Sequence, residues 1–171
     1  MNPFPQRLFI SGAAERSLFR GISHLITVAN PGAVQEKPDW FQGEHLPLWF
    51  GDVTSTADAR RRKTEAPTLD QIQSAVEFFR EAWGRPDSRI LVSCNYGVSR
   101  SPALAYLFIA DCLGAGREAE AFKRMLEIHS IALPNRLVVR LGDAFLGRRG
   151  ALLPPLKKLY AEINEELFPP K

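Results

Sequence analysis

The chain has 171 residues, 45% hydrophobic and 24% charged, with a net charge of +3. This suits one globular domain with a real core, and with only 2 cysteines it excludes a disulfide-stapled scaffold. The charge excess is too small to argue for a nucleic-acid partner, and no apolar run approaches the roughly 18 residues of a membrane span. The N-terminus makes a poor signal peptide, so a cytoplasmic location is the expectation.

Four short runs read as strands. They are residues 7–11 (RLFIS), 24–29 (HLITVA, stopped by Asn30, Pro31 and Gly32), 45–50 (HLPLWF) and 89–93 (RILVS). Pro47 suits the third to an edge or a strand start. Between the third and fourth runs, Thr68 to Gln71 forms a capping box opening a helix through about Trp83, with Leu69, Ile72, Val76, Phe79 and Trp83 at helical spacing. Residues 101–113 open with Pro102 and stop at Gly114, and 103–110 are apolar on every side, which predicts a helix buried mid-fold. Further helices are expected over 117–129, 135–146 and 153–167. The order predicts an α/β fold: a short, mostly parallel sheet of about 4–5 strands flanked by helices, with a helical C-terminal half.

The informative stretch is LVSCNYGVSRSP, residues 91–102, running from a strand through a tight loop into a helix. Five residues separate Cys94 from Arg100. With 16 arginines in the chain, that spacing alone is weak; Gly97 and Ser101 at their offsets make chance a poor explanation. A loop wrapped around a helix N-terminus points backbone N–H groups at one spot and makes an anion site. Gly97 permits a dihedral that other residues resist, and Arg100 can fork two N–H groups onto phosphate oxygens. The same field would lower the Cys94 pKa from ~8.5 toward ~3.5–7.5, giving a thiolate, an activated nucleophile. The plainer reading is a buried cysteine at a strand end and a surface arginine.

This segment resembles the signature loop of the cysteine-dependent protein tyrosine phosphatases, and Gly97, Ser99, Arg100 and Ser101 match the form frequent in the dual-specificity branch. The likeness extends over residues 7–147: 8–12 and 24–29 resemble that branch's early strands, and Pro134-Asn135 with the helix after it resembles a segment late in the domain. Residues 133–146 (LPNRLVVRLGDAFL) also look like a bacterial set of short tyrosine phosphatases. The expected organisation is a single phosphatase-like domain over 1–171, its core at about 7–147 and a C-terminal helix at about 151–167.

The resemblance implies a two-step hydrolysis of a phosphorylated substrate, phosphotyrosine and other phosphoesters, through a phosphocysteine. Cys94 would attack phosphorus. Arg100 and the backbone N–H groups from Asn95 through Tyr96, Gly97, Val98 and Ser99 to Arg100 would hold the phosphoryl oxygens. Ser101 would hydrogen-bond the Cys94 sulfur. A separate Asp would protonate the leaving oxygen; Asp52, after the third strand, occupies that place, with Asp58 in reserve and Asp70 better explained as a first-turn helix residue. No cofactor or metal is implied, and His24, His45 and His129 lack ligand spacing. One position departs from the pattern: Ser93 stands where the family has His.

Two other classes remain open: a non-catalytic phosphate-binding module, motivated by Ser93, and sulfurtransferase or arsenate-reductase chemistry, disfavoured by the loop's place in the chain. The run Arg60-Arg61-Arg62-Lys63 reads either as a solvated loop or as a basic rim for a polyanionic substrate; Arg148-Arg149 and Lys157-Lys158 read as solvated. Trp49 and Phe50 could wall a pocket or pack in the core, and Tyr96 could line the entrance. Cys112 is expected in the core, too far along its helix to bridge Cys94.

Overall fold

The computed structural model describes residues 3–167. In chain order the elements are α1 (Phe4–Arg7), β1 (Leu8–Gly12), a 3-10 turn (Ala13–Leu18), β2 (His24–Ala29), β3 (Glu44–Trp49), α2 (Thr56–Arg61), α3 (Leu69–Trp83), β4 (Ile90–Cys94), α4 (Arg100–Leu113), α5 (Glu118–Ile128), α6 (Arg136–Phe145) and α7 (Leu153–Leu167). The sheet has four strands in the order β1-β4-β2-β3, and every neighbouring pair is parallel. The sheet is therefore at the lower end of the expected size and parallel throughout.

Burial follows from that topology. β2 and β4 lie inside the sheet and are buried at every position, as central parallel strands covered on both faces must be. β3 is an edge strand, which is where Pro47 costs no ladder hydrogen bond. One sheet face sends Leu8, Ile10, Ile26, Val28, Ile90, Val92 and Cys94 into the main core with residues of α3 to α6. The other carries Phe9, Leu91 and Leu25 in register and packs under Phe19, Ile22 and Phe41. Toward the strands' carboxyl ends that second face turns polar, with Ser11, Ser93 and Thr27 in one row.

Helix α4 is buried from Arg100 through Ala110 because it lies against β4, β1 and β2 on one side and α3, α5 and α6 on the others. Thr68 and Gln71 form the capping box at the start of α3, and Ile72, Val76 and Phe79 are buried as their spacing predicts. Leu69 departs from expectation: at the first position of the helix it is exposed. Cys112 is also exposed, not part of the core, because α4 emerges from its neighbours beyond Ala110. Both cysteines are free thiols. The segments α1, the 3-10 turn and α2 are too short to carry a periodic signal, and sequence reading did not distinguish them from loops.

Gly142 lets α6 approach α4: a Cβ there would run into the Leu107 side chain, which is fully buried. A Gly142→Ala change gains about 1 kcal/mol in helix propensity and loses up to about 3 kcal/mol by overpacking. Because Cγ and both Cδ atoms of Leu107 are in the way, overpacking wins. The variant is expected to unfold at lower urea concentration than the wild type, by about 1–2 kcal/mol in stability.

Candidate active site

β4 ends on Cys94 and α4 begins on Arg100, so the loop between them sits at the carboxyl end of a central strand, the usual ligand position of an open parallel sheet. The turn depends on Gly97. Its φ of +76° is left-handed, and a Cβ would lie 2.6 Å from Gly12 N and 2.7 Å from Ser11 C. The loop is thus pressed against the end of β1. Its carbonyls are taken by surrounding segments: Ala13 N–H donates to Asn95 O (3.1 Å), Leu133 N–H to Val98 O (2.7 Å) and Asn135 N–H to Ser99 O (3.0 Å).

Cys94 is buried, and the Ser101 hydroxyl donates to its sulfur at 3.2 Å. Burial alone would push the thiol up. The Ser101 hydroxyl, the Ser101 N–H, the Arg100 charge and the Gly97 N–H overcome it and hold Cys94 below the ordinary thiol range. Arg100 is 2% exposed. Its Nη1 donates to Asn30 Oδ1 (2.9 Å) and to Phe50 O (2.8 Å), both neutral acceptors, and its buried Nε has no partner. A buried cation with neutral partners and an unused donor is arranged for an anion.

Asp52 lies beside this loop. The Ser99 hydroxyl and Asn135 Nδ2 both donate to its Oδ1 at 2.7 Å, while among the described residues its Oδ2 accepts no hydrogen bond. Asn135 has a second task. Its Oδ1 caps α6 by accepting from Leu137 N–H and Val138 N–H, each at 3.0 Å, and its Nδ2 also reaches Val53 O (3.1 Å). Tyr160 of α7 faces the same carboxylate: burial first, then the Asp52 charge, pushes its phenol above the ordinary value.

The reserve acid is elsewhere engaged. Asp58 Oδ1 pairs with Arg61 (2.6 Å) and Arg62 (3.0 Å), Thr54 N–H donates to Oδ2 (3.1 Å), and Asp58 N–H donates to the capping Ser55 hydroxyl (3.0 Å). The Thr54 N–H, then Arg61 and Arg62, hold it below the usual carboxylate range. Asp58 is the closing contact of α2, and two cations of the basic run turn back onto it. Arg60 and Lys63 stay exposed, and Asp70 sits exposed in the first turn of α3.

Ser93, where the resemblance leads one to expect histidine, is fully buried and accepts a 2.9 Å hydrogen bond from Arg16 Nε. Tyr96 stands 84% exposed at the lip of the loop. Trp49 is partly exposed with its indole N–H on Ala33 O, whereas Phe50 is core and offers only its carbonyl to the site. Among the described residues no group of three or more side chains is placed to hold a metal. A cleft of about 240 Å³ opens beside Asp52, lined by Asn30, Gly51, Val53, Arg62 and Thr64. A larger one of about 620 Å³ lies between α5 and α7 and touches none of this chemistry.

Sequence reasoning missed three contributors. Asn30 reads in the sequence only as a strand stop, yet it accepts from Arg100. Asn135 enters the sequence reading only through the resemblance and as the first residue of the helix expected over 135–146, with nothing to show its cap of α6 or its grip on Asp52. Arg16 carried no local signal, because its partner is 77 positions away.

No protein-family model and no curated protein matches the chain. Solved structures do. The human tyrosine phosphatase-like serine/threonine/tyrosine-interacting protein is 18% identical, with 83% of this chain and 92% of that one covered and a TM-score of 0.62. DUSP15 is 16% identical, with 92% and 94% covered and a TM-score of 0.62. PTPMT1, solved in complex with PI(5)P, is 18% identical, with 85% and 90% covered and a TM-score of 0.57. With its parallel sheet, buried central helix and loop at the end of β4, the chain has the fold of the dual-specificity branch of the cysteine-dependent phosphatases.

Proposed function

We propose that this protein is a phosphomonoester hydrolase that works through a phosphocysteine on Cys94 and acts on phosphotyrosine and related phosphoesters. The observation that carries the reading is the Cys94 sulfur itself, buried yet held below the ordinary thiol range by Ser101, Gly97 and Arg100. A structural cysteine needs no such donors, whereas a nucleophile does.

In the first step the Cys94 thiolate attacks phosphorus, the S–P bond forms and the P–O bond to the leaving group breaks. The leaving oxygen takes a proton from Asp52, aided by that group's unshared Oδ2. Arg100 turns its Nε and Nη groups to the phosphoryl oxygens, with the N–H groups of Asn95, Tyr96, Gly97, Val98 and Ser99 completing the cradle. In the second step Asp52, now a carboxylate, takes a proton from water as that water attacks phosphorus. The S–P bond breaks, inorganic phosphate leaves, and the Ser101 hydroxyl donates to the departing thiolate. Every proton returns to its starting place, and the cycle as written calls on no cofactor. Solution of PTPMT1 with PI(5)P supports taking the substrate class as phosphoesters broadly, not phosphotyrosine alone.

A second reading, a phosphate-binding module without turnover, is motivated by Ser93 and keeps the same loop. One experiment separates them: phosphate release from a small aryl phosphate over pH 4.5 to 8 without added metal. The wild type is expected to turn over, Cys94→Ser to be inactive, and Asp52→Ala to lose about 10²-fold in kcat. Activity should rise with pH as Cys94 ionises, and the direction of its shift puts this below the ordinary thiol range. A silent wild type whose melting temperature is still raised by phosphate or vanadate overturns the hydrolase and leaves the binder.

Asn135→Ala is expected to show two effects at once. Loss of the α6 cap should cost about 1 kcal/mol of stability. Release of Asp52 should lower kcat by less than Asp52→Ala does, measured below the variant's own melting transition.

A further inference from the structure

Behind the loop, on the sheet face opposite α4, lies a cation the proposed chemistry has not used. Arg16, on the 3-10 turn, is half-buried over the polar row Ser11–Ser93–Thr27. Its side chain has one hydrogen bond, Nε to Ser93 Oγ at 2.9 Å, and among the described residues it has no carboxylate partner. Ser93 Oγ in turn leans on the Cys94 carbonyl at 3.5 Å. We propose that Arg16 is a positioning residue for the Cys94 nucleophile, anchoring Ser93 and presenting a permanent positive charge to the sulfur from the sheet side.

The electrostatics agree with the geometry. Burial lowers the Arg16 pKa, and the Cys94 charge opposes that. Attraction between two charges is mutual, so the guanidinium favours the thiolate, as a smaller influence on the sulfur than Ser101, Arg100 and Gly97. The other charged or titratable groups around the pair have their own engagements. Arg100 faces the sulfur from α4. Asp52 is held by Ser99 and Asn135. Glu15 accepts from Gly12 N–H. His45 of β3 shares a 2.8 Å hydrogen bond with Thr27, and burial, Arg16 and then Lys37 push its pKa down, which favours its neutral form. Also on this face, Lys37 lies over the Phe41 ring and Arg89 over the Phe9 ring, so the cation bonded to the residue before Cys94 is Arg16.

The arrangement divides the labour between two arginines. Arg100 would be committed to the phosphoryl oxygens once substrate is bound, and its field on the sulfur is then offset by the dianion. Arg16 touches no substrate and keeps its charge near the sulfur throughout, including the moment when the thiolate departs from phosphorus. It supplies from a distant turn a cation that Ser93 cannot.

The inference rests on the nucleophile assigned above, so the test reads ionisation of Cys94 and not turnover. In a Cys112→Ser background, alkylation by iodoacetamide is followed from pH 4.5 to 9. Arg16→Gln is expected to move the midpoint upward and slow alkylation at pH 6 by about tenfold, with an unchanged plateau at high pH. Arg16→Lys, which keeps the charge, should bring the midpoint most of the way back to the wild-type value. Should Arg16→Gln fail to fold, Arg16→Met keeps the aliphatic stem and carries the same expectation. A folded neutral variant with the wild-type midpoint overturns the proposal, as does an Arg16→Lys variant that shifts as far as Arg16→Gln. Aryl phosphate release, run in parallel, judges the hydrolase separately: kcat should fall with KM unchanged if Arg16 acts only through the sulfur.

Discussion

The arrangement turns on the cost of a negative sulfur inside a protein. Burial opposes the thiolate, and at Cys94 it is the largest single influence. Everything nearby offsets it: the hydroxyl and N–H of Ser101, the N–H of Gly97, and the charge of Arg100. These donors converge only because β4 stops, the chain reverses around Gly97, and α4 starts within a few residues. The fold's main investment, a helix buried on all sides against a parallel sheet, holds the start of that helix where the sulfur needs it.

Asp52 shows the same economy. Its carboxylate is held not by its own loop but by Ser99 at the start of α4 and Asn135 at the start of α6. Asn135 uses its oxygen to cap a helix and its nitrogen to hold the carboxylate. Stability and proposed chemistry are therefore tied through one side chain, and the packing of α6 on α4 bears on where the carboxylate points.

Much of this was legible in the sequence because it is local. The strand, loop and helix around Cys94 lie within about a dozen positions, and chemistry, turn and cap signals coincide there. The capping box at Thr68 and the buried run 103–110 were readable for the same reason. The contributors missed were those whose partners are far off in sequence. Asn30 meets Arg100 across 70 positions and Arg16 meets Ser93 across 77. Asp52 and Asp58 likewise look alike in sequence, six positions apart after β3; only the structure shows Asp58 inside α2, paired with Arg61 and Arg62. Cys112 is exposed against expectation because a uniformly apolar helix gives no sign of where it leaves the core.

The segment after β3 has a kinetic implication. Asp58 gathers Thr54, Arg61 and Arg62, and Gly51 N–H bonds Glu65 O at 2.7 Å, so residues 51–65 close on themselves at their own base. With Asp52 also pinned to α4 and α6, the carboxylate proposed as proton donor is already in place. The entropy of ordering it falls at folding, not in each encounter with substrate. For the proposed hydrolase this means that recognition of substrate would rest on a preformed loop and not on ordering that loop at each encounter.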